Sequence, residues 1–302
     1  NLIKATITYL SKIAVEHLEM DTKTVEKTRN MFALGIVFYL FNIDLEKTTK
    51  FFNVKFKKKP ILIEANTAVL NAGYNYAETI EAVQSRYTIP KANIEQGKYR
   101  NITGNIATAW GFLAASERSG RPLYLGSYPI TPATEILMEL AKHKSLGAKV
   151  LQAEDEIAGI CSTIGAAYTG SLAITSTSGP GLSLKSEAIG LAVMTELPIV
   201  IEDVQRGGPS TGLPTKSEQS DLLQALYGRN GECPVIVTAA ATPVDCFYKA
   251  YEAAKLAMEH MTPVILLTDG SIGFGSELFK IPKVADLDPI NPPIAESNDP
   301  EY

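Results

Sequence analysis

Short apolar segments alternate with longer amphipathic stretches from about residue 102 to residue 280, and this alternation is the strongest constraint on the fold. Residues 122–126, 148–152, 172–175, 198–201, 235–237 and 264–267 have the composition of buried strands. Nearly continuous apolar strands separated by helices are typical of a parallel sheet that is covered on both faces. We therefore predict a doubly wound parallel α/β domain over residues 102–280.

Three of these segments end in polar loops that carry chemically useful side chains. Residues 128–132 contain a threonine hydroxyl, residues 152–156 contain a cluster of carboxylates, and residues 205–212 contain an arginine. Loops that follow parallel strands gather at one edge of the sheet, which is where ligands bind. A hydroxyl, an acid and a guanidinium are therefore expected to meet in one crevice.

Charge and cysteine content exclude several classes of function. The net charge of −5 argues against a nucleic-acid partner, because phosphate binding leaves a basic footprint. The three cysteines are too few and too scattered for a disulfide framework or an iron–sulfur cluster, and the histidines lack metal-ligand spacing, so no metal site is expected on this chain. No apolar run reaches the ~18 residues of a membrane span. These features favour a reducing compartment, the cytoplasm.

Residues 1–80 have helical periodicity and no strand pattern. Thr22 or Thr24 is expected to cap a second helix that continues through residue 41, and a third helix is expected to begin at Pro60 and end at Gly73. Three helices without strands make a poor complete domain. This region therefore resembles the end of a larger one.

Two segments lack periodicity and are predicted to be linkers. Residues 81–101 are polar and are expected to connect the helical region to the α/β domain. Residues 281–302 are rich in proline and are expected to form an extended linker to a domain that is absent.

The loop at residues 128–132 has two interpretations. Thr131 and Pro132 could be the N-cap and first residue of a helix over about 132–143. Alternatively, the Thr131 hydroxyl and the free N–H groups of that helix could bind an anion.

The acidic triplet at residues 154–156 also precedes a helix, so some of these acids could serve only as capping residues. The following residues are small and apolar, and an acid that faces them would lie in a poorly hydrated pocket. Such an acid keeps its proton more readily and can share it with a bound base. Glu156 is the member closest to this apolar surface.

Two further loops can contact a ligand. Residues 175–181 are small, so a ligand can approach the backbone closely there, although packing alone explains them equally well. Arg206 follows a strand in a loop of Gly, Ser and Thr, which suits the capture of a carboxylate by two hydrogen bonds. A surface ion pair with a nearby acid is the alternative.

Four motifs occur in one order: YPITP from residue 128, EDE-I-A-G from 154, TSTSGPG from 175 and QRGGPSTGLPT from 205. Together they resemble the α subunit of 2-oxoacid:ferredoxin oxidoreductases. The resemblance implies that residues 102–280 are the pyrimidine-binding domain of a thiamine diphosphate enzyme. Residues 1–80 resemble the end of the γ-type domain that many such subunits carry in front, as in a γ–α fusion.

The resemblance also implies roles for individual residues. In that family one glutamate bonds to N1′ of the aminopyrimidine, and the spacing to Gly165 fits Glu156 better than Glu154. A proton shared there favours the imino tautomer, whose nitrogen removes the C2 proton of the thiazolium, so Glu156 is the expected catalytic residue. Thr131 and Arg206 are expected to hold the substrate carboxylate. Cofactor contacts are also expected from Tyr128, Pro129, Ile130, Ser178 and Gly179.

The family's GDG…N metal motif is missing from this sequence. The resemblance therefore places the diphosphate, Mg²⁺ and the iron–sulfur cluster on a β subunit in a hetero-oligomer, without which this chain is inactive. The expected reaction is oxidative decarboxylation of a 2-oxoacid, with coenzyme A accepting the acyl group and ferredoxin the electrons. The QRGGPSTGLPT motif favours 2-oxoglutarate, with pyruvate or a branched-chain 2-oxoacid as the alternative.

Two other functional classes remain open. The chain could be a non-catalytic docking subunit of the same kind of complex, in which case it binds no thiamine diphosphate. It could also be a nucleotide-binding Rossmann protein, but the GxGxxG fingerprint of that class is missing.

Overall fold

The computed structural model describes residues 4–80 and 86–293. The chain divides into two compact units, Asn1–Glu95 and Gln96–Tyr302. In the described part, no helix combines the length and apolar character needed to cross a membrane.

The described part of the first unit is helical, as expected, and contains four α-helices. Asp21, and not Thr22 or Thr24, caps the second helix, because its carboxylate accepts a hydrogen bond from the Thr24 N–H at 2.9 Å. The third predicted helix does not stop at Gly73. The helices are α1 Ile7–Ala14, α2 Thr22–Leu40, α3 Glu46–Lys55 and α4 Pro60–Thr79.

Gly73 lies inside α4 because it allows close contact with α2. A Cβ at Gly73 would overlap the main chain of Phe32, and a Cβ at Gly35 would overlap Leu70 in the same way. Phe32 and Val69 form the centre of a small apolar core between these helices. A glycine that resembles a helix terminator in the sequence is therefore a packing residue.

The second unit contains a six-stranded parallel sheet and a separate two-stranded antiparallel sheet. The strands are β1 Tyr99–Thr103, β2 Leu123–Ser127, β3 Lys149–Gln152, β4 Leu172–Thr177, β5 Ile199–Gln205, β6 Ile236–Ala239, β7 Val264–Asp269 and β8 Ser276–Lys280. The helices are α5 Gly104–Ser119, α6 Thr134–Leu140, α7 Glu156–Tyr168, α8 Gly179–Leu184, α9 Ser186–Met194, α10 Leu222–Tyr227, α11 Asp245–His260 and α12 Gly270–Phe274.

The strand order of the parallel sheet is β3-β2-β4-β5-β7-β6. Both faces are covered, and the side chains of β5 show this directly. Val200 and Val204 belong to the core that contains α5, α6 and α11, whereas Ile199 and Ile201 belong to the core that contains α7 and α9. The predicted doubly wound parallel α/β fold is confirmed.

The sequence patterns did not predict β1 and β8. These strands pair antiparallel, with Tyr99 opposite Lys280 and Thr103 opposite Ser276. The last residues of the segment 81–101, expected to be a linker, therefore form part of a strand. A five-residue strand with a single buried position carries too little apolar pattern to be recognised locally.

Part of the proline-rich segment after residue 280 also packs on the second unit. Ile290 is buried, and the Tyr251 hydroxyl donates a hydrogen bond to the Asp288 carbonyl. Residues 281–293 are thus attached to the unit and are not simply an extended linker, while residues 294–302 lie outside the described part of the chain.

Candidate functional site

The strand order creates a crevice at the carboxyl edge of the parallel sheet. The chain passes from β2 outward to β3 and then returns to β4 on the other side of β2, so the connections run in opposite directions from the gap between β2 and β4. The Ser127 hydroxyl bonds to the Ser176 carbonyl and hydroxyl at 2.8 Å across this gap. These hydrogen bonds fix the ends of β2 and β4, from which the following loops start.

Arg206 and Thr131 meet at this edge. The Arg206 guanidinium donates one hydrogen bond to the Thr131 carbonyl at 2.6 Å and another to the Thr211 carbonyl at 2.9 Å. Arg206 is only 7% exposed, and its Nε–H has no hydrogen-bond partner. Because a guanidinium has five N–H donors, this side chain keeps donors for an anion.

Thr131 does not cap the following helix. The chain first makes a turn, in which the Thr134 N–H bonds to the Ile130 carbonyl, and α6 then begins with Ala133 at its N-cap. The Thr131 side chain is exposed, and its carbonyl is bonded to Arg206. The hydroxyl is therefore free for a role other than capping.

A cleft of about 630 Å³ lies beside Arg206. Gly179 and Pro180 form one wall, the loop around Pro209 and Ser210 forms another, and Arg206 lines the space between them. Neither Glu156 nor residues 128–131 are among the described residues that line this cleft. The structure thus joins Arg206 to Gly179 in one cavity and to Thr131 by a hydrogen bond.

Glu156 is the first residue of α7 and is half-buried. Asp155 is the N-cap, with its carboxylate accepting the Ala158 N–H at 2.7 Å, so the capping interpretation of the acidic triplet is correct for Asp155. A Cβ at Gly181 would lie 2.9 Å from Glu156 Cγ and would overlap the Thr177 hydroxyl. The glycine lets the loop after β4 pack directly on the Glu156 side chain.

The Ser178 hydroxyl is fully buried and has no hydrogen-bond partner in the described structure. Burying a hydroxyl without a hydrogen-bond partner costs free energy, so a ligand that hydrogen-bonds to Ser178 would offset that cost. The backbone next to it is equally close-packed, since a Cβ at Gly179 would lie 2.7 Å from an Asp221 carboxylate oxygen.

Lys185 is a site residue that the sequence patterns missed. It lies between α8 and α9 with no solvent exposure, and its ammonium donates a hydrogen bond to the Glu156 carbonyl at 2.7 Å. One sequence signal could have identified it: Lys185 is the only basic residue between Leu172 and Ile199.

Two buried acids, Glu202 and Asp203, lie on β5, and a third, Asp221, lines the cleft. Burial, together with the neighbouring Asp221, raises the pKa of Asp203 well above its usual range, and burial also raises the pKa of Asp221. Glu202 points to the other face of the sheet, where burial raises its pKa to about 8 although the Thr268 hydroxyl donates to it at 2.8 Å. Glu202 is therefore protonated near neutral pH.

Glu202→Gln should make the second unit less sensitive to alkali. The unfolded carboxyl ionises near 4.5 and the folded one near 8, so unfolding releases a proton between these pH values. Stability is therefore lost as pH rises through this window, by up to about 1.4 kcal/mol per pH unit. Urea unfolding followed by the fluorescence of Trp110, the single tryptophan, measures the effect.

The variant should gain stability relative to the wild type between pH 5 and pH 8, because glutamine does not ionise and its carbonyl can still accept the Thr268 hydroxyl. Glu232→Gln, at an exposed position, is the matched control and should follow the wild type. Parallel curves for all three proteins would show that Glu202 does not carry a shifted pKa.

Comparisons with known proteins agree with this geometry. Residues 119–302 match the family model described as pyruvate flavodoxin/ferredoxin oxidoreductase, thiamine diphosphate-binding. In the described part of the chain, no group of three or more His, Cys, Asp or Glu side chains is arranged to hold a metal ion.

Curated relatives include the 2-oxoglutarate oxidoreductase subunit KorA of Mycobacterium tuberculosis, 54% identical over 97% of this chain and 45% of the relative. The 2-oxoglutarate synthase subunit KorA of Archaeoglobus fulgidus is 42% identical over 62% of this chain and 53% of the relative. The chain thus spans about half the length of these relatives.

A solved structure of similar fold is the 2-oxoglutarate:ferredoxin oxidoreductase from Magnetococcus marinus, with 2-oxoglutarate, coenzyme A and succinyl-CoA bound. Its TM-score is 0.85 at 35% identity, over 95% of this chain and 49% of that chain. With its parallel sheet, its edge crevice and the family match over most of its length, the chain belongs to the thiamine diphosphate-binding family of pyruvate flavodoxin/ferredoxin oxidoreductases.

Proposed function

We propose that this chain is part of the α subunit of a 2-oxoacid:ferredoxin oxidoreductase, which oxidatively decarboxylates 2-oxoglutarate to an acyl-CoA and passes the electrons to ferredoxin. One observation carries the proposal. At the carboxyl edge of the sheet, a buried arginine with unused donors is bonded to the Thr131 loop and lines a cleft with Gly179.

The residues at this edge fit thiamine diphosphate. A side chain at Gly179 or Gly181 would overlap its neighbours, so the loop after β4 presents its main chain to a ligand. The buried Ser178 hydroxyl lacks a hydrogen-bond partner, which a ligand would supply. Glu156 would hold N1′ of the aminopyrimidine. Further contacts would come from Ser178 and Gly179 and from the loop residues Tyr128, Pro129 and Ile130. When bound, the cofactor supplies the carbon nucleophile that attacks the 2-oxoacid carbonyl.

This chain contributes a carboxyl group that shares a proton and side chains that bind the substrate carboxylate. Glu156 is half-buried against Gly181, so its carboxyl is partly shielded from water and can share a proton with a bound ring nitrogen. Arg206 and the Thr131 hydroxyl hold the substrate carboxylate, since a hydrogen bond joins the guanidinium to the Thr131 carbonyl and the guanidinium retains donors. The carboxylate end of the 2-oxoacid is thereby held at this edge of the sheet.

A partner subunit supplies what this chain lacks. We place the diphosphate, Mg²⁺ and the iron–sulfur cluster on a β subunit in a hetero-oligomer, because the sequence lacks the GDG…N motif and clustered cysteines. Large apolar side chains on the α7, α9 and α10 face support such a partner: Tyr168, Met194 and Tyr227 are 81%, 80% and 76% exposed. Free cysteines at Cys161, Cys233 and Cys246 are compatible with a cytoplasmic enzyme.

The named relatives support 2-oxoglutarate as the substrate. Two relatives carry 2-oxoglutarate in their names, and the similar solved structure has 2-oxoglutarate and coenzyme A bound. We also propose that residues 1–80 are the end of a γ-type domain, since the similarity to the Mycobacterium tuberculosis relative extends over 97% of this chain and includes the helical unit.

The proposal is tested on the complete complex purified with its partner subunit. We expect reduction of ferredoxin that requires 2-oxoglutarate, coenzyme A and thiamine diphosphate, with lower rates for pyruvate and branched-chain 2-oxoacids. A higher rate with pyruvate would change the substrate assignment. If calorimetry shows that the complex binds no thiamine diphosphate, this chain is a docking subunit and the proposed reaction is wrong.

A further inference from the structure

Lys185 is an unusual residue for the interior of this domain. Its side chain has no solvent exposure, and it lies in the connection between α8 and α9, among the apolar residues that cover one face of the sheet. Burying an ammonium costs solvation energy, whereas a methionine of similar length would fill the same space without that cost. The buried ammonium is therefore expected to have a hydrogen-bonding or negatively charged partner nearby.

The partner is the start of α7. Lys185 Nζ donates to the Glu156 carbonyl at 2.7 Å, which ties the loop after β4 to the first residue of the helix after β3. Three groups that can carry negative charge face the ammonium from α7 and its cap, namely Glu156, Asp155 and Cys161. Burial lowers the pKa of Lys185 to about 8 although these groups oppose the shift, so the ammonium is mostly charged at pH 7.

The carboxylates of Asp155 and Glu156 differ in their contacts and in their exposure. Asp155 already accepts the Ala158 N–H at 2.7 Å as the helix cap and is exposed. Glu156 is half-buried, and its Cγ packs against the position where Gly181 lacks a side chain. The ammonium thus contacts the main chain of the same residue whose side chain packs against Gly181.

We propose that Lys185 is a positioning residue for Glu156, which fixes its main chain and sets the pH range over which its carboxyl shares a proton with the bound aminopyrimidine. This inference rests on the proposed function, because it assumes that Glu156 meets thiamine diphosphate. Lys185 is bonded to the main-chain carbonyl of Glu156, and while it is charged its attraction for the nearby carboxylate opposes protonation of the carboxyl–pyrimidine pair. Its removal lets the pair keep the proton to higher pH.

The test uses the complete complex without substrate, and it measures thiamine diphosphate affinity by calorimetry across a pH series. In Lys185→Met, the pH at which affinity begins to fall, followed below pH 8 where the wild-type lysine is still largely charged, should rise by up to about one unit, which is up to a tenfold change in Kd at one pH. Lys185→Gln can keep a hydrogen bond but not the charge and should show the same rise. Lys185→Arg keeps the charge and should show no rise.

A second comparison separates positioning from folding. When Glu156 is Gln, adding Lys185→Met should leave the pH profile unchanged, since the titrating carboxyl is already absent. A merely structural lysine would lower thermal stability in all Lys185 variants and shift no profile, and that outcome would overturn the inference. If Lys185→Met fails to assemble, Lys185→Gln carries the same test.

Failure of this inference can be told apart from failure of the proposed function. A wild-type complex that binds thiamine diphosphate, with an unchanged pH profile in the Met and Gln variants, overturns only the role of Lys185. A wild-type complex that binds no thiamine diphosphate overturns both. Binding without 2-oxoglutarate oxidation overturns the reaction and leaves the pH test of Lys185 intact.

Discussion

Replacing Glu156 by Gln in the assembled complex should lower the rate of 2-oxoacid-dependent ferredoxin reduction by about 100-fold or more. The amide has nearly the same shape as the carboxyl and can still contact a ring nitrogen. It cannot exchange a proton with that nitrogen, so the step that activates the cofactor loses its acid–base partner. The main-chain carbonyl that binds Lys185 is unchanged by the substitution, so the start of α7 should keep its position.

Glu154→Gln is the matched control for this prediction. Glu154 belongs to the same acidic triplet and is exposed, so the same loss of charge at the same loop should leave the rate close to that of the wild type. Equal rates for Glu156→Gln and the wild type would show that Glu156 is not the proton-sharing residue. Equal losses in both variants would show that the charge of the loop matters rather than one carboxyl.

For Arg206→Ala, we expect a KM for the 2-oxoacid that is raised by at least about tenfold, together with a lower kcat. The substitution removes the donors that face the cleft and also the hydrogen bonds to the Thr131 and Thr211 carbonyls. Substrate binding and the position of the Thr131 loop are therefore both affected. Initial rates over a range of 2-oxoglutarate concentrations separate the two kinetic constants.

Arg229→Ala provides the control for lost main-chain anchoring. Arg229 also donates to main-chain carbonyls, those of Ala225 and Leu226 at 2.9 Å, but it lies outside the cleft beside Arg206. This variant should lose stability and keep the wild-type KM. If KM is unchanged in Arg206→Ala for every 2-oxoacid tested, Arg206 does not bind the substrate carboxylate.

The sequence predicts the parallel sheet and its edge loops well because both depend on local patterns. Apolar runs mark the buried strands, and the polar residues that follow each run mark the edge where the loops gather. The N-cap interpretation of Thr131 fails because the chain makes a turn there and α6 begins only after Ala133. The Thr131 carbonyl is bound by Arg206, a residue 75 positions away, and no local pattern carries that information.

The same limit applies to Lys185 and to the pairing of β1 with β8. A lysine followed by Ser and Glu is typical of a solvent-facing helix start, and only the packed structure shows its ammonium against the Glu156 carbonyl. Tyr99 and Lys280 lie far apart in the chain, and each of their short strands has a single buried position. Contacts between distant segments therefore account for most of what local patterns miss.

The antiparallel pair β1 and β8 joins the place where the chain enters the second unit to the place where it leaves the parallel sheet. Because Tyr99 lies opposite Lys280, the chain immediately before β1 and the chain immediately after β8 lie side by side. A mechanical load on either segment would therefore meet the hydrogen bonds between β1 and β8 before it reached the parallel sheet and the residues Arg206 and Glu156 at its edge.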